Sequence, residues 1–354
     1  MDHIQEEKEI IRDFVKMSRY AGMREDLVQA GGGNSAVKLS DDRMLIKASG
    51  FQMADISEKS GYAVVDHSVI RDFFLNHGEE NLSEEDEQNL LKRALVEGGR
   101  PSIETFLHSI SGRYSLHTHP VTVNAFACRE NWIDGLKDSF PEAMYVPYAK
   151  PGISLAQVFF REAEAYLERN GSYPDIIFLK NHGLLVSAGT ADEAIMKTEQ
   201  TVRRLEDILG YPQEGYHGVT ELWKLFPDKI VWMVTDHHVL DGWHALGDVW
   251  NTAFCPDCIV FLGKKALRIT DVSDAKKLED HKKAYGMPVL IAYKENLYLI
   301  CDSVRKAMET QSVLSFSAQV AMLNRGKVCE YLSDDEQSAL LNWESERYRK
   351  NLKS

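Results

Sequence analysis

Two histidines flank a threonine at His117-Thr118-His119, and a third stands in Asn181-His182-Gly183. The first pair closes a run of strand pattern, where residues i and i+2 point to the same face. One ion can sit between His117 and His119, and a histidine at the end of another strand can supply a third vertex. Three imidazoles with one coordination position left open suit a catalytic metal, zinc or another divalent transition metal, rather than a structural one. With twelve histidines in the chain, one such pair is unremarkable by itself. Glu104, in Pro101-Ser102-Ile103-Glu104, adds what the histidines lack. Its carboxylate can complete the shell at rest and act as general acid/base once substrate displaces it. The same glutamate is also placed to stabilise a helix start, with Ser102 as the N-cap of a helix over residues 103 to 110.

Two turns could hold an oxyanion. Gly31-Gly32-Gly33-Asn34-Ser35 and Lys47-Ala48-Ser49-Gly50 are both rich in backbone N–H groups and short hydroxyls. Ser102 at a helix start adds the dipole of an N-terminus. Each glycine cluster alone is explained better as a tight turn than as a ligand site. Neither GxGxxG nor GxxxxGK[ST] occurs, so neither a Rossmann cofactor site nor a P-loop is indicated.

These residues need a scaffold, and 354 residues suffice for one large domain or two smaller ones. A net charge of −13 argues against a nucleic-acid surface, which needs clustered Lys and Arg. No apolar run is long enough to cross a bilayer, and the charged N-terminus has no signal-peptide pattern. Five cysteines, an odd number, fit free thiols in a reducing compartment, with cytoplasm the default. Cys255-Pro256-Asp257-Cys258 lacks the second CxxC of a zinc ribbon and reads as two small thiols beside a proline turn.

Periodicity gives an opening helix over residues 4 to 22, then a hairpin from 36–39 and 44–48. A strand follows over 61–65, then an acidic helical stretch over 68–100, with 79–87 a solvated run. The histidine strand covers 113–119, a helix begins over 124–128, and a short strand spans 144–147. A long helix over 154–169 precedes paired strands at 175–180 and 184–187, then a helix over 191–209. Residues 210–227 read as a linker. Beyond it come strands at 259–262 and 267–270, a helix at 273–285, and a hairpin from 289–293 and 297–301. Helices over 304–323 and 333–351 close the chain. Asp236-His237-His238 and His244 read as loop histidines of structural use and receive no role. The domain boundary is expected near residue 215, with units 1–215 and 216–354. One segment also echoes another: the strand–turn–strand–helix beginning at Ile176 is matched by one beginning at Val289, with Glu295 where His182 stands. A second unit that is a decayed relative of the first, without a metal site, would explain this.

In order, "GGGNSAVKL…MLIKASG", "PSIETFLH…HTHP", "YVPYAKPG" and "FLKNHGLLV…ADEAI" resemble the class II aldolase/adducin family, over about residues 10 to 210. Within it they look most like the aldolase half of bacterial rhamnulose-1-phosphate aldolase/lactaldehyde dehydrogenase fusions, whose dehydrogenase half has no counterpart in this sequence. "FCPDCIVFLGKKAL" and "LNWESERYRK" resemble segments of those fusions more loosely. The resemblance implies a three-layer α/β/α fold with a mainly antiparallel central sheet, followed here by a smaller α+β domain. It further implies homotetramers with active sites between subunits. Residue by residue, His117, His119 and His182 would hold Zn2+, and Glu104 would be the acid/base. Asn34, Ser49, Gly50 and Ser102 would hold a substrate phosphate, with Lys47 adding charge. Ile103 stands where many relatives carry a second hydroxyl, and Gly31 where a threonine can stand.

The reaction implied is reversible cleavage of a phosphorylated ketose to dihydroxyacetone phosphate and an aldehyde, through a metal-stabilised enediolate. A second acid, often from a neighbouring subunit in this family, is not identifiable here; Tyr114 and Tyr148 are candidates, and a structural role suits both better. Pentulose-phosphate 4-epimerases share the fold but typically carry aspartate at the position of Glu104. Sugar-acid phosphate decarboxylases share it too, and an adducin-like binding module would keep the fold and lose the metal.

Overall fold

The structure is a computed structural model that describes residues 3–78, 80–250 and 253–342. The chain divides into two compact units, Met1–Gln213 and Glu214–Ser354.

The first unit opens on α1 (His3–Gly22), whose Ile10, Phe14, Met17 and Ala21 form one buried stripe at helical spacing. Then follow β1 (Asn34–Lys38), β2 (Arg43–Lys47), β3 (Tyr62–Asp66), α2 (His67–His77), α3 (Glu84–Ala94) and β4 (Leu95–Gly98). After them come α4 (Thr105–Ile110), β5 (Tyr114–Thr118), α5 (Val121–Ala127), α6 (Asp134–Lys137) and β6 (Met144–Val146). The unit ends on α7 (Ile153–Asn170), β7 (Ile176–Leu179), β8 (Gly183–Ala188) and α8 (Ala191–Leu209). Eight strands form one sheet in the order β4-β3-β2-β1-β5-β8-β7-β6. Every pairing is antiparallel except β6 with β7. Helices α1, α5 and α8 pack on one another and on the central strands, while α2, α3, α4 and α7 pack together elsewhere. The second group buries Met44, Ile46, Ala63, Val65 and Leu185 with Phe74, Phe106 and Phe159, alternate strand residues serving opposite faces. This is the expected three-layer arrangement with a mainly antiparallel sheet.

Local readings needed revision. The stretch 68–100 is two helices and an edge strand, because Leu95 leaves helical geometry and Gly98 takes φ +90°. Glu87, expected to be solvated, is buried and accepts the Ile153 N–H at 2.9 Å, satisfying the start of α7. Glu79 lies outside the described residues. Ser102 is not the N-cap of α4, which begins at Thr105 with Glu104 in the cap position. Its N–H is committed to the Lys47 carbonyl at 3.2 Å, so it heads the preceding turn, and its hydroxyl accepts the Glu104 N–H at 3.3 Å.

The second unit comprises α9 (Glu214–Trp223), β9 (Ile230–Met233), α10 (His237–Leu246), α11 (Pro256–Leu262), β10 (Leu267–Ile269) and α12 (Ala275–Tyr285). It continues with β11 (Leu290–Tyr293), β12 (Asn296–Cys301), α13 (Val304–Leu323) and α14 (Asp334–Asn342). The expected last helix beyond residue 342 lies outside the described residues. Residues 259–262, expected as a strand, are helical because Pro256 occupies the first turn after an extended Cys255, where its fixed φ favours helix. Cys255 and Cys258 Sγ lie 3.4 Å apart there, and all five cysteines are free. The expected linker contains α9. Its glycines serve packing rather than flexibility: a Cβ on Gly218 would stand 2.1 Å from Tyr298 Oη. The 236–238 cluster is also helical, Asp236 capping α10 by accepting the Val239 N–H at 3.1 Å.

The four-stranded sheet of this unit has the order β10-β11-β12-β9. Its pairing senses repeat those of β6-β7-β8-β5, parallel for the first pair and antiparallel for the others. The sequence of elements repeats as well. In each case a strand is followed by two helices, a strand, one helix, a hairpin and a long helix. Both hairpin turns carry a non-glycine residue at positive φ, Asn181 at 52° and Lys294 at 51°.

Candidate active site

The antiparallel register of β1, β5 and β8 sets the site. Asn34 pairs with His117, and His117 with Leu185, so the first residue of β1, the end of β5 and the start of β8 meet at one end of the sheet. His182 sits in the turn between β7 and β8, and Glu104 leads into α4. The four predicted residues converge: ligand atoms of Glu104, His117, His119 and His182 all lie within 4.8 Å of one another. His182 Nε2 is 2.8 Å from Glu104 Oε1, and His117 Nε2 is 3.6 Å from Oε2 and 3.0 Å from His119 Nε2.

The donor set fits a divalent metal. His117 is fully buried, and its Nδ1–H donates to the Leu184 carbonyl at 2.9 Å, leaving Nε2 as a bare lone pair. That lone pair faces another imidazole nitrogen and a carboxylate oxygen, a gathering of electron-rich atoms that calls for a cation. Burial pushes the Glu104 carboxyl up, but without metal a proton held among His117, His182 and His119 outweighs it and keeps the carboxyl well below the usual carboxylate range. Burial pushes His117 and His119 down, so both favour the neutral form that binds metal.

A buried relay that the sequence reading missed orients Glu104. The Asn34 amide nitrogen faces the Glu104 carboxylate and must donate to it, so its carbonyl faces His108 Nε2. His108 Nε2 therefore carries the proton, and Nδ1 accepts from the Ser115 hydroxyl at 2.6 Å. His108 is fully buried, and burial pushes it down to about 3. Its signal was present in the sequence: His108 stands four residues after Glu104, on the same side of a short helix.

His119 is fixed from behind. Its N–H donates to the Leu27 carbonyl at 2.8 Å. That loop is held by Arg24, whose guanidinium grips Asp26 at 2.6 Å with both side chains fully buried, and also pairs with Glu199 at 2.6 Å. Gly32 leaves room for the ring, since a Cβ there would stand 2.9 Å from His119 Nδ1.

The residues expected around a phosphate occupy neighbouring segments. The Ala48–Pro101 bridge ties the two turns together, with Ser49 N–H on the Arg100 carbonyl at 2.7 Å. Gly50 takes φ +88° beside an exposed Ser49. Buried Lys47 reaches the Gly31 carbonyl at 3.3 Å; burial lowers its pKa, opposed by Glu104. Asn34, by contrast, has its side chain engaged by Glu104 and His108. Neither tyrosine weighed as a second acid joins the cluster. Tyr148 is exposed, and Tyr114, at the other end of β5, donates to Asp13 at 3.1 Å.

No curated protein matches this chain. Among solved structures, a class II aldolase domain of a conserved Thermoplasma acidophilum protein is 25% identical over 56% of this chain and 92% of its own, with TM-score 0.47. A sugar-phosphate aldolase from Thermotoga maritima is 17% identical over 58% and 95%, with TM-score 0.42. An L-fuculose-1-phosphate aldolase from Thermus thermophilus is 16% identical over 60% and 97%, with TM-score 0.35. The family of the class II aldolase and adducin N-terminal domain matches residues 12–208, more than half of the sequence. The chain belongs to that family.

Proposed function

We propose that this protein is a metal-dependent aldolase that reversibly cleaves a phosphorylated ketose to dihydroxyacetone phosphate and an aldehyde. The observation that carries the reading is the convergence of Glu104 on three imidazoles. His117, His119 and His182 would hold the ion, Zn2+ or a related divalent metal. When bound, the ion supplies Lewis acidity toward a substrate carbonyl or hydroxyl oxygen.

Glu104 takes a proton from the carbon beside the carbonyl and returns it there, as general base and then acid. Its carboxylate is charged at rest, as a base must be, and the Asn34–His108–Ser115 relay fixes the direction from which it approaches. Ser49, Gly50, Ser102 and Lys47 would anchor the substrate phosphate, so that binding energy from a remote group orients the reacting carbon. Asn34 would share that task only by turning from Glu104. A glutamate rather than an aspartate at position 104 favours this chemistry over epimerisation.

The motifs of the first unit resemble those of the aldolase half of rhamnulose-1-phosphate aldolase/lactaldehyde dehydrogenase fusions, which makes 6-deoxyketose 1-phosphates the first substrates to try. Tetramers and a cytoplasmic location go with this reading; among the described residues no helix is long and apolar enough to cross a membrane. The second unit would be a degenerate relative of the first that lacks the metal site. In its matched register Met233 stands in the place of His117, and Glu295 in that of His182. The test is condensation of dihydroxyacetone phosphate with a panel of short aldehydes, followed by mass spectrometry. A ketose 1-phosphate product that disappears with chelator supports the proposal. Release of carbon dioxide from 3-keto sugar-acid phosphates, or pentulose-phosphate epimerisation, without any condensation would replace it.

A further inference from the structure

Asn34 and Lys38 are the two ends of β1, roughly 13 Å apart at the rise of an antiparallel strand. Asn34 belongs to the metal end. At the other end Lys38 lines a separate cavity of about 610 Å³, together with Arg71, Arg113, His67, Asp41 and Ser111. An adjoining cavity of about 470 Å³ shares Lys38, Arg71 and Arg113.

Among the described residues three cations, Lys38, Arg71 and Arg113, face these walls, while Asp66 and Asp42 lie near His67. Lys38 Nζ donates to the Ser111 carbonyl and pairs with no acidic side chain among the described residues. Among the described residues Arg71 pairs only with Asp72, at 3.9 Å, and Arg113 rests over the Tyr114 ring at 5.9 Å. Asp41 is the one carboxylate on the larger cavity's lining, while Asp175 in the adjoining one pairs with Lys197 at 2.7 Å. His67 is 2% exposed; its Nε2 donates to the Ser40 carbonyl at 3.3 Å, and its Nδ1 is buried with no hydrogen-bond partner. Burial, and then Arg71, push the Lys38 amine down to about 8. Burial lowers His67 too, with Lys38 and Arg71 adding to the effect against the opposing Ser40 hydrogen bond and the Asp66 charge. Cations that repel one another around a cavity, beside a buried nitrogen without a partner, are arranged for a missing anion.

We infer that this cavity binds the phosphate group of a small metabolite through Lys38, Arg71 and Arg113, and that the bound anion draws a proton onto His67 Nδ1, which then donates as a fourth contact. A phosphate monoester, near −2 at neutral pH, matches these cations better than a carboxylate does, and guanidinium groups suit its oxygens geometrically. Its charge would cancel the repulsion between Lys38 and Arg71. The site is independent of the catalytic reading, since no residue is shared with the metal cluster or with the turns around Ser49 and Ser102.

The test is calorimetric titration of the metal-loaded, full-length protein with inorganic phosphate. Comparison of wild type with Lys47→Met, and with Lys38→Met combined with Arg71→Gln, separates the two ends of the sheet. The distal site should persist in Lys47→Met, weaken at least about tenfold in the double variant as charge-assisted contacts are lost, and weaken as pH rises through Lys38 deprotonation. Arg71→Gln alone changes a half-exposed side chain that does not threaten folding, and it should weaken binding in the same direction. On dimethylated protein, the Lys38 resonance should titrate at higher pH when phosphate is present. Unchanged affinity in Arg71→Gln and the double variant, or a Lys38 titration that phosphate leaves unmoved, overturns the inference.

Discussion

Glu104→Gln isolates the carboxylate's charge from its shape. The residue is 12% exposed at the side chain, accepts from Asn34 through Oε2 and lies 2.8 Å from His182 through Oε1. Glutamine keeps both contacts: its carbonyl accepts from Asn34, and its amide can face the His182 nitrogen. The structural cost is therefore the loss of charge assistance in two hydrogen bonds, on the order of 1 kcal/mol. All three imidazoles remain, so the metal should remain. What disappears is a base able to take a proton from carbon, a role worth about 10²–10⁴ in rate, or roughly 3–5 kcal/mol of barrier. Solvent exchange of the dihydroxyacetone phosphate methylene protons reads this step directly, and metal analysis of the same sample reads the site. The variant should hold its metal, melt near wild type and exchange at least about a hundredfold more slowly. A metal-loaded variant exchanging within about tenfold of wild type would show that another group moves the proton and would refute the assignment.

Three more predictions concern the residues behind the site. His108→Leu leaves the Asn34 carbonyl and the Ser115 hydroxyl buried without partners, and should cost about 2–5 kcal/mol in denaturant unfolding, with His108→Gln recovering part. Because burial pushes folded His108 down to about 3, the unfolded chain binds the extra proton below the ordinary histidine range. Stability of the metal-free protein should thus fall as pH drops from about 6.5 toward 3, by up to roughly 1.4 kcal/mol per unit for this residue. Glu104 acts in the same direction but only below the ordinary carboxylate range, so the loss between about pH 6.5 and 5 belongs to histidines, and its slope should be shallower in His108→Gln. Gly32→Ala, whose Cβ would stand 2.9 Å from His119 Nδ1, should displace that ring and weaken metal binding by on the order of 10–100-fold in competition with a chelator. Unchanged affinity would mean that the loop yields instead.

The histidine cluster was legible because its signal is local and periodic: an i, i+2 pair on a strand and a histidine in a hairpin turn. Long helices such as α8 and α13 were legible for the same reason, each with a side-chain cap, Thr190 and Ser303, and a sustained pattern. Short apolar runs were not. Residues 259–262 carry no period that separates strand from helix, and the proline that decides between them lies upstream. The glycines of α9 looked like a linker because their purpose, contact with Tyr298, lies 80 residues away in the sequence. Glu87 was hidden similarly, since its burial is recognised only through a distant partner, the N–H of Ile153.

The most direct test of the central claim follows deuterium uptake by dihydroxyacetone phosphate in D₂O by NMR, with the metal-loaded protein and again after chelation. It needs no knowledge of the aldehyde partner. Exchange that stops with chelator and returns with added zinc is the predicted result. A fully metal-loaded protein that catalyses no exchange would contradict metal-assisted proton abstraction from this substrate, and with it the aldolase reading.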